Sequence, residues 1–184
     1  MSYISRSQLK RVTDSYRRPI NETRLFASNC GRKVFLSHKH EETDLLYRIK
    51  TFLEQQGVDV YIDWLDPLMK HKTNGKTADD LQEKINTCNK FIFVATEQAL
   101  ESTWCSWEVG YADAIKDETK DIAILPIVDD NHNWEGSEYL QDYPTIEYRN
   151  GTTKYSNGKY VPEGFYICYP HNLVIVPLNE WLKQ

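Results

Sequence analysis

Glu108 is the residue of this 184-residue sequence whose placement most invites chemistry. Ser102 or Thr103 can cap a helix that begins Trp104-Cys105-Ser106-Trp107-Glu108, since a side-chain oxygen there satisfies an otherwise orphaned backbone N–H. At about 100° per residue, Trp104, Trp107, Glu108, Tyr111 and Ile115 fall on one stripe. Ser106, Gly110, Asp113, Lys116 and Asp117 take the opposite, polar side. A carboxylate on the apolar stripe costs free energy unless it is paired or opens into a cleft. Two readings follow. Either Glu108 bonds a backbone group or an arginine as internal scaffolding, or it is a carboxyl of perturbed acidity at a functional site.

Other groups with chemical potential are weaker. His38-x-His40 has the look of a metal pair, but two histidines without further ligands do not make a metal centre, and none is expected. Lys70, Lys72 and Lys76 could meet phosphates, although a solvated loop face accounts for them as well. Neither a G-x-G-x-x-G run nor a phosphate-binding P-loop is present.

The elements that must position these groups begin at Lys33. Val34-Phe35-Leu36 is a short apolar run suited to a buried parallel strand. Leu45, Leu46, Ile49, Phe52 and Leu53 recur at helical spacing, with Gly57 at the expected C-terminus. Val58, Val60 and Ile62 alternate as a second strand, and residues 63 to 77 read as a long loop. Leu81, Ile85 and Cys88 mark the next helix, Phe91-Ile92-Phe93-Val94-Ala95 the third strand, and about Thr103 to Lys116 the Glu108 helix. Ile122 to Val128 form a fourth strand, with Pro126 expected at a strand end, edge or bulge. The polar, aromatic segment 131–170 carries Asn150-Gly151 and Asn157-Gly158 and predicts a β-hairpin insertion. Leu173-Val174-Ile175-Val176 predicts the fifth strand, followed by a short helix carrying Trp181 and Leu182.

Alternating strands and helices imply right-handed crossovers and an α/β, flavodoxin-like fold: a five-stranded parallel sheet in the order 2-1-3-4-5. Ligands of such sheets sit beyond the carboxyl ends of the strands, where the strand order reverses. That places Ser37 and His38 after the first strand, and Thr96 after the third, beside the crevice.

Bulk properties are those of one globular domain: 40% hydrophobic, 27% charged, net charge −5. Residues 1 to 33 hold eight basic residues against two acidic, a balance of +6 that leaves −11 for the rest. Without nucleic-acid motifs or interleaved aromatics, this basic N-terminal segment (1–32) reads as a solvated face lying on the acidic body (33–184). No nucleic-acid partner is expected. The four cysteines are widely spaced and predict free thiols; with no secretory leader and no apolar run able to span a bilayer, the expected location is cytoplasmic, away from membranes.

Three features together resemble a Toll/interleukin-1 receptor (TIR) domain: Val34-Phe35-Leu36-Ser37 opening the sheet, Val60-Tyr61-Ile62-Asp63 leading into a long loop, and Trp104-Cys105-x-x-Glu108 after the third strand. The resemblance runs over residues 33 to 128 and is looser beyond. It implies that Glu108 is the catalytic glutamate of NAD+ cleavage at the nicotinamide–ribosyl bond, and that the loop after strand two serves self-association and gating. NAD+ would then be a substrate, with no separate cofactor. Ser37, His38, Trp64, Thr96 and Trp104 are the candidate substrate contacts. Trp104 could stack on a flat ring or be plain core. A nearly bare domain of this kind resembles the stand-alone bacterial TIR proteins of Thoeris-like antiphage defence, which make a nucleotide messenger for a separate effector. Two other functions fit the same residues: a non-catalytic TIR–TIR adaptor, and an N-glycosidase like the nucleoside deoxyribosyltransferases. Whether the product is linear, cyclic or conjugated ADP-ribose is left open by the sequence.

Overall fold

The computed structural model describes residues 3–14, 31–39, 42–66, 76–117, 120–129, 136–171 and 174–184. In order, the elements are β1 (Ile4–Ser5), α1 (Arg6–Asp14), β2 (Lys33–Ser37), α2 (Thr43–Gln55), β3 (Asp59–Tyr61), α3 (Lys76–Thr87), β4 (Lys90–Ala95), α4 (Glu97–Leu100), α5 (Thr103–Ile115), β5 (Ile122–Val128), β6 (Thr145–Arg149), β7 (Gly164–Cys168), β8 (Ile175–Pro177) and α6 (Leu178–Trp181). Among the described residues the strands form one sheet ordered β3-β2-β4-β5-β6-β7-β8, with β1 attached to β5. Pairing is parallel from β3 to β6 and antiparallel for β6–β7 and β7–β8.

Period-two alternation builds a core on each face. Val34, Leu36, Ile92, Val94, Ala123 and Leu125 pack with α2 residues such as Leu46 and Ile49, and with Trp181 of α6. Phe35, Phe91, Phe93, Ile122 and Ile124 pack the other way, against Leu81 and Ile85 of α3 and Cys105, Val109 and Ala112 of α5. Strands buried on both faces read as continuous apolar runs, which is why β2, β4 and β5 were legible. Gly57, at φ +88°, occupies the left-handed conformation that ends the α2 turn.

The α/β class and the order of the first four sheet strands agree with expectation; the far end of the sheet does not. The fifth position belongs to β6, which lies inside the predicted insertion and pairs with β5 through Ile124 and Thr145. Its Thr-Ile-Glu-Tyr-Arg sequence hides a strand because Glu147 is buried beside Arg149, 3.0 Å away, where an apolar residue is usual. β6 and β7 do form a hairpin, with Arg149 opposite Gly164, but it extends the sheet. The last strand is shifted from 173–176 to Ile175–Pro177 and lies at the edge, antiparallel to β7; Leu173 is outside the described residues. Pro126 sits within β5. Ile124 N–H donates to Pro144 O, and Pro126, two residues on, is turned to that same side past the end of the β5–β6 pairing, so its missing N–H breaks no ladder bond there.

Part of the basic N-terminal segment joins the sheet: Ile4 and Ser5 pair in parallel with Ile127 and Val128. Arg6 bridges Glu42, ahead of α2, and Asp129, just after β5; Arg48 of α2 meets Asp14 at 2.7 Å. No helix among the described residues is long and apolar enough to cross a membrane. Cys88, Cys105 and Cys168 are free thiols, and Cys30 lies outside the described residues.

Candidate active site

Alternation along β2 turns Ser37 to the same face as Phe35, the face that α5 covers. Ser102 is the N-cap of α5, its Oγ accepting from Cys105 N–H at 3.3 Å, and this fixes where the helix starts and which side meets the sheet. That side carries Cys105, Glu108, Val109 and Ala112. The buried stripe is therefore rotated from the expected one. Trp104, Trp107 and Tyr111 form a stacked row on the flank, with centroids 5.0 and 5.8 Å apart, and Ile115 is exposed.

Glu108 is only 3% exposed, and its Oε2 accepts a 2.5 Å hydrogen bond from Ser37 Oγ. Burial pushes its acidity up to a pKa of about 8; the Ser37 bond opposes that, and the charge of Asp63 adds to it. Asp63, two residues past the end of β3, opens a single 3-10 turn, Asp63–Leu65, where the sequence reads as loop. It is buried at 8% exposure, with Oδ1 3.7 Å from His38 Nε2. His38 Nδ1 lies 2.9 Å from Leu36 O, so that nitrogen carries the hydrogen and donates. The Cys105 thiol donates to His38 O at 3.2 Å, tying the loop after β2 to the first turn of α5; burial raises its pKa to about 11 and keeps it an unreactive thiol.

Of the residues singled out from sequence, Ser37, His38 and Glu108 converge. The remaining three do not join them. Thr96 is fully buried, and its hydroxyl accepts from Ala99 N–H at 3.2 Å as the cap of α4. Trp64 packs edge-on to Tyr47 of α2, against the opposite core. Trp104 is 39% exposed and stacks on Trp107. His40, Lys70 and Lys72 lie outside the described residues, and Lys76 begins α3. Asp63 was missed as a site residue. The rule that marked Ser37, a polar residue just past the carboxyl end of an apolar strand, applies equally to Asp63 after Val58, Val60 and Ile62. Among the described residues, no group of three or more His, Cys, Asp and Glu is arranged to hold a metal ion.

A carboxyl that is buried, hydrogen-bonded and beside a second carboxylate, at the junction of β2 and β4 where the strand order reverses, can hold a proton at neutral pH.

Residues 34–159 match the family described as "TIR domain". The chain is 35% identical over 119 residues to "Probable 3' cyclic ADP-D-ribose synthase ThsB'" of Bacillus cereus (strain MSX-D12), a match covering 61% of this chain and 59% of that protein. It is 27% identical over 82 residues to "Putative cyclic ADP-D-ribose synthase TIR2" of Cytobacillus dafuensis, covering 43% of this chain and 22% of that protein. The matches thus span less than two thirds of either relative's length.

Proposed function

Since the chain belongs to the TIR domain family, we propose that it cleaves NAD+ at the nicotinamide–ribosyl bond with Glu108 as the catalytic carboxylate. The observation that carries this reading is the Ser37–Glu108 pair at the strand-order switch, a carboxyl of raised pKa where α/β sheets bind ligands. NAD+ enters as a substrate with a cationic leaving group. The C1′–N bond breaks with its electron pair going to nicotinamide, and positive charge spreads over C1′ and the ring oxygen, as in glycoside hydrolysis. Ionised Glu108 stabilises that charge. Attack by water, which sheds a proton, gives ADP-ribose; attack by a hydroxyl of the same molecule gives a cyclic product. The names of both relatives favour the cyclic outcome, and a nucleotide signal of that kind suits antiphage defence acting through a separate effector. Because Glu108 is only 3% exposed, a ribose reaches it only if neighbouring atoms move.

The second reading, a non-catalytic self-association module, draws on the same burial: a sealed, hydrogen-bonded glutamate can serve the core alone. Purified protein incubated with NAD+ separates the two. The expected result is nicotinamide release that Glu108→Gln reduces by on the order of 10²-fold or more, with mass spectrometry identifying the ribosyl product. Equal release by both proteins, or none across a wide range of protein concentration, removes the catalytic reading.

A further inference from the structure

β1 and α1 lie ahead of residues 34–159, the stretch that matches the TIR family, yet they are built into the same sheet. Ser5 caps α1: its Oγ accepts from Gln8 N–H at 3.2 Å, while Gln8 Oε1 accepts from Ser5 N–H at 3.1 Å. With Ile4 and Leu9 buried in the core that Leu45 and Leu46 of α2 share, this capping box fixes Arg6 at the start of the helix. Ile4 and Ser5 pair with the last residues of β5, so Arg6 stands at the carboxyl end of the sheet, as Ser37 does. From there its guanidinium joins two loops. Nη2 meets Glu42 Oε1 ahead of α2, and Nε meets Asp129 Oδ1 at 3.1 Å, just after β5. The Glu42 side chain is only 10% exposed, so its charge needs a partner, and the planar fork of an arginine can serve two carboxylates at once. Packing does not fix Glu42 on this side. An open cavity of about 380 Å³, lined by Arg6 and Lys10 of α1 and by Glu42, Asp44 and Arg48, lies against the start of α2.

We propose that Arg6 is a positioning residue of the site, acting through Glu42 on the strand end Ser37-His38 that meets α5 at Glu108 and Cys105. The proposal rests on the NAD+-cleaving reading for the reaction it serves. Glu42 N–H points back to Lys39 O at 3.5 Å, which ties the clasped residue to the chain just past His38. That chain is gripped from α5 by the 2.5 Å Ser37–Glu108 bond and by the Cys105 thiol on His38 O at 3.2 Å. Arg6 grips it from α1. Reaction rate is steep in position: a misplacement of about 1 Å costs on the order of 10²-fold. Exposed ion pairs add little to overall stability, and Arg6 is 43% exposed, so the effect of the clasp falls on the site more than on the fold.

The test measures kcat and KM for NAD+ in Arg6→Gln, Glu42→Gln, their double variant and Arg48→Ala, together with amide hydrogen exchange of residues 37–39. Each Gln variant is expected to lower kcat about tenfold and to leave KM within about twofold. The double variant should fall no further than either single, because the two side chains act as a unit. Arg48 holds α1 and α2 through Asp14, Asp44 and Thr13, so Arg48→Ala loosens α1 and should keep kcat within about twofold of native. Exchange at 37–39 should quicken in the Gln variants and not in Arg48→Ala. Should Arg6→Gln fail to fold, Glu42→Gln carries the same comparison. A raised KM in Arg6→Gln with a lowered KM in Glu42→Gln would mean that Arg6 holds substrate phosphate directly, and overturns the positioning role. Unchanged kcat, additive losses, or an equal loss in Arg48→Ala overturns it as well. If the native chain releases no nicotinamide, the NAD+ reading fails by itself; unchanged exchange at 37–39 in the Gln variants is then the result that overturns the hold of Arg6 on the strand end.

Discussion

Ser37 Oγ and Glu108 Oε2 are joined by a 2.5 Å hydrogen bond from the last residue of β2 to the middle of α5. This contact couples the ionisation of one side chain to the position of a strand end, so the site can be probed through stability as well as turnover.

Glu108 should make the protein less stable as the medium turns alkaline. Its pKa is raised in the fold to about 8 from an ordinary 4.5, chiefly by burial. Between those values the folded chain holds a proton that the unfolded chain has lost, so stability is full below about 4.5 and declines as pH rises toward 8. The decline amounts to on the order of a few kcal/mol. Glu108→Gln keeps an acceptor for Ser37 and removes the titration. Its Tm should exceed the native value by about 10 °C more at pH 8.5 than at pH 5, measured by calorimetry. A Tm difference that stays flat across this range contradicts the assignment.

Ser37→Ala should act on Glu108 from the other side. The serine hydroxyl favours the ionised carboxylate, so its loss makes ionisation harder. The acid limb of NAD+ turnover is expected to move to higher pH, and activity at pH 7 should fall roughly tenfold for every pH unit that the limb moves. Stability at alkaline pH should fall by about 1–2 kcal/mol, because the ionised carboxylate loses its donor. Rates reduced equally at every pH would point to misplacement of the strand instead.

Thr96→Ala separates capping from binding. The Thr96 side chain is fully buried and accepts from Ala99 N–H. Thermal denaturation should show a loss of about 1 kcal/mol, with KM for NAD+ unchanged. A several-fold rise in KM with little loss of stability would restore Thr96 as a substrate contact.

Arg48→Ala tests how α1 is held. Arg48 donates to Asp14 at 2.7 Å, to Asp44 at 2.9 Å and to Thr13 at 3.5 Å. Surface ion pairs contribute little singly, so a global loss of only about 1 kcal/mol is expected, shrinking further in high salt. The larger effect should be local: faster amide exchange over residues 6–14 than over β4. Uniform exchange across both segments would show that α1 opens only with the whole fold.

The parallel heart of the sheet was legible because strands buried on both faces leave continuous apolar runs, as in Val34-Phe35-Leu36 and Phe91 to Ala95. Ser37 and His38 followed from where those strands end, and Glu108 from a carboxylate set on an apolar helical stripe and from the resemblance to TIR domains. Four things escaped. A two-residue strand such as Ile4–Ser5 has no period to detect. β6 carries a buried ion pair that reads as polar insertion. The side of α5 that faces the sheet depends on a rotation of the helix that spacing alone does not determine; Trp104 and Trp107 imitate a core stripe while stacking on each other at the flank. Asp63 carried the same strand-end signal as Ser37, but it also opens the polar run 63–77, and that run reads as loop.

The pairing of Ile4 with Ile127 and the packing of Trp181 against Lys90, the first residue of β4, set Ile4 and Trp181 at opposite ends of the sheet. A surface tether close to Tyr3 would sit near the end of the sheet that holds Ser37, beside the approach proposed for NAD+. Attachment after Gln184, which is exposed at the far pole, leaves that approach open, and so it is the better geometry for immobilised assays.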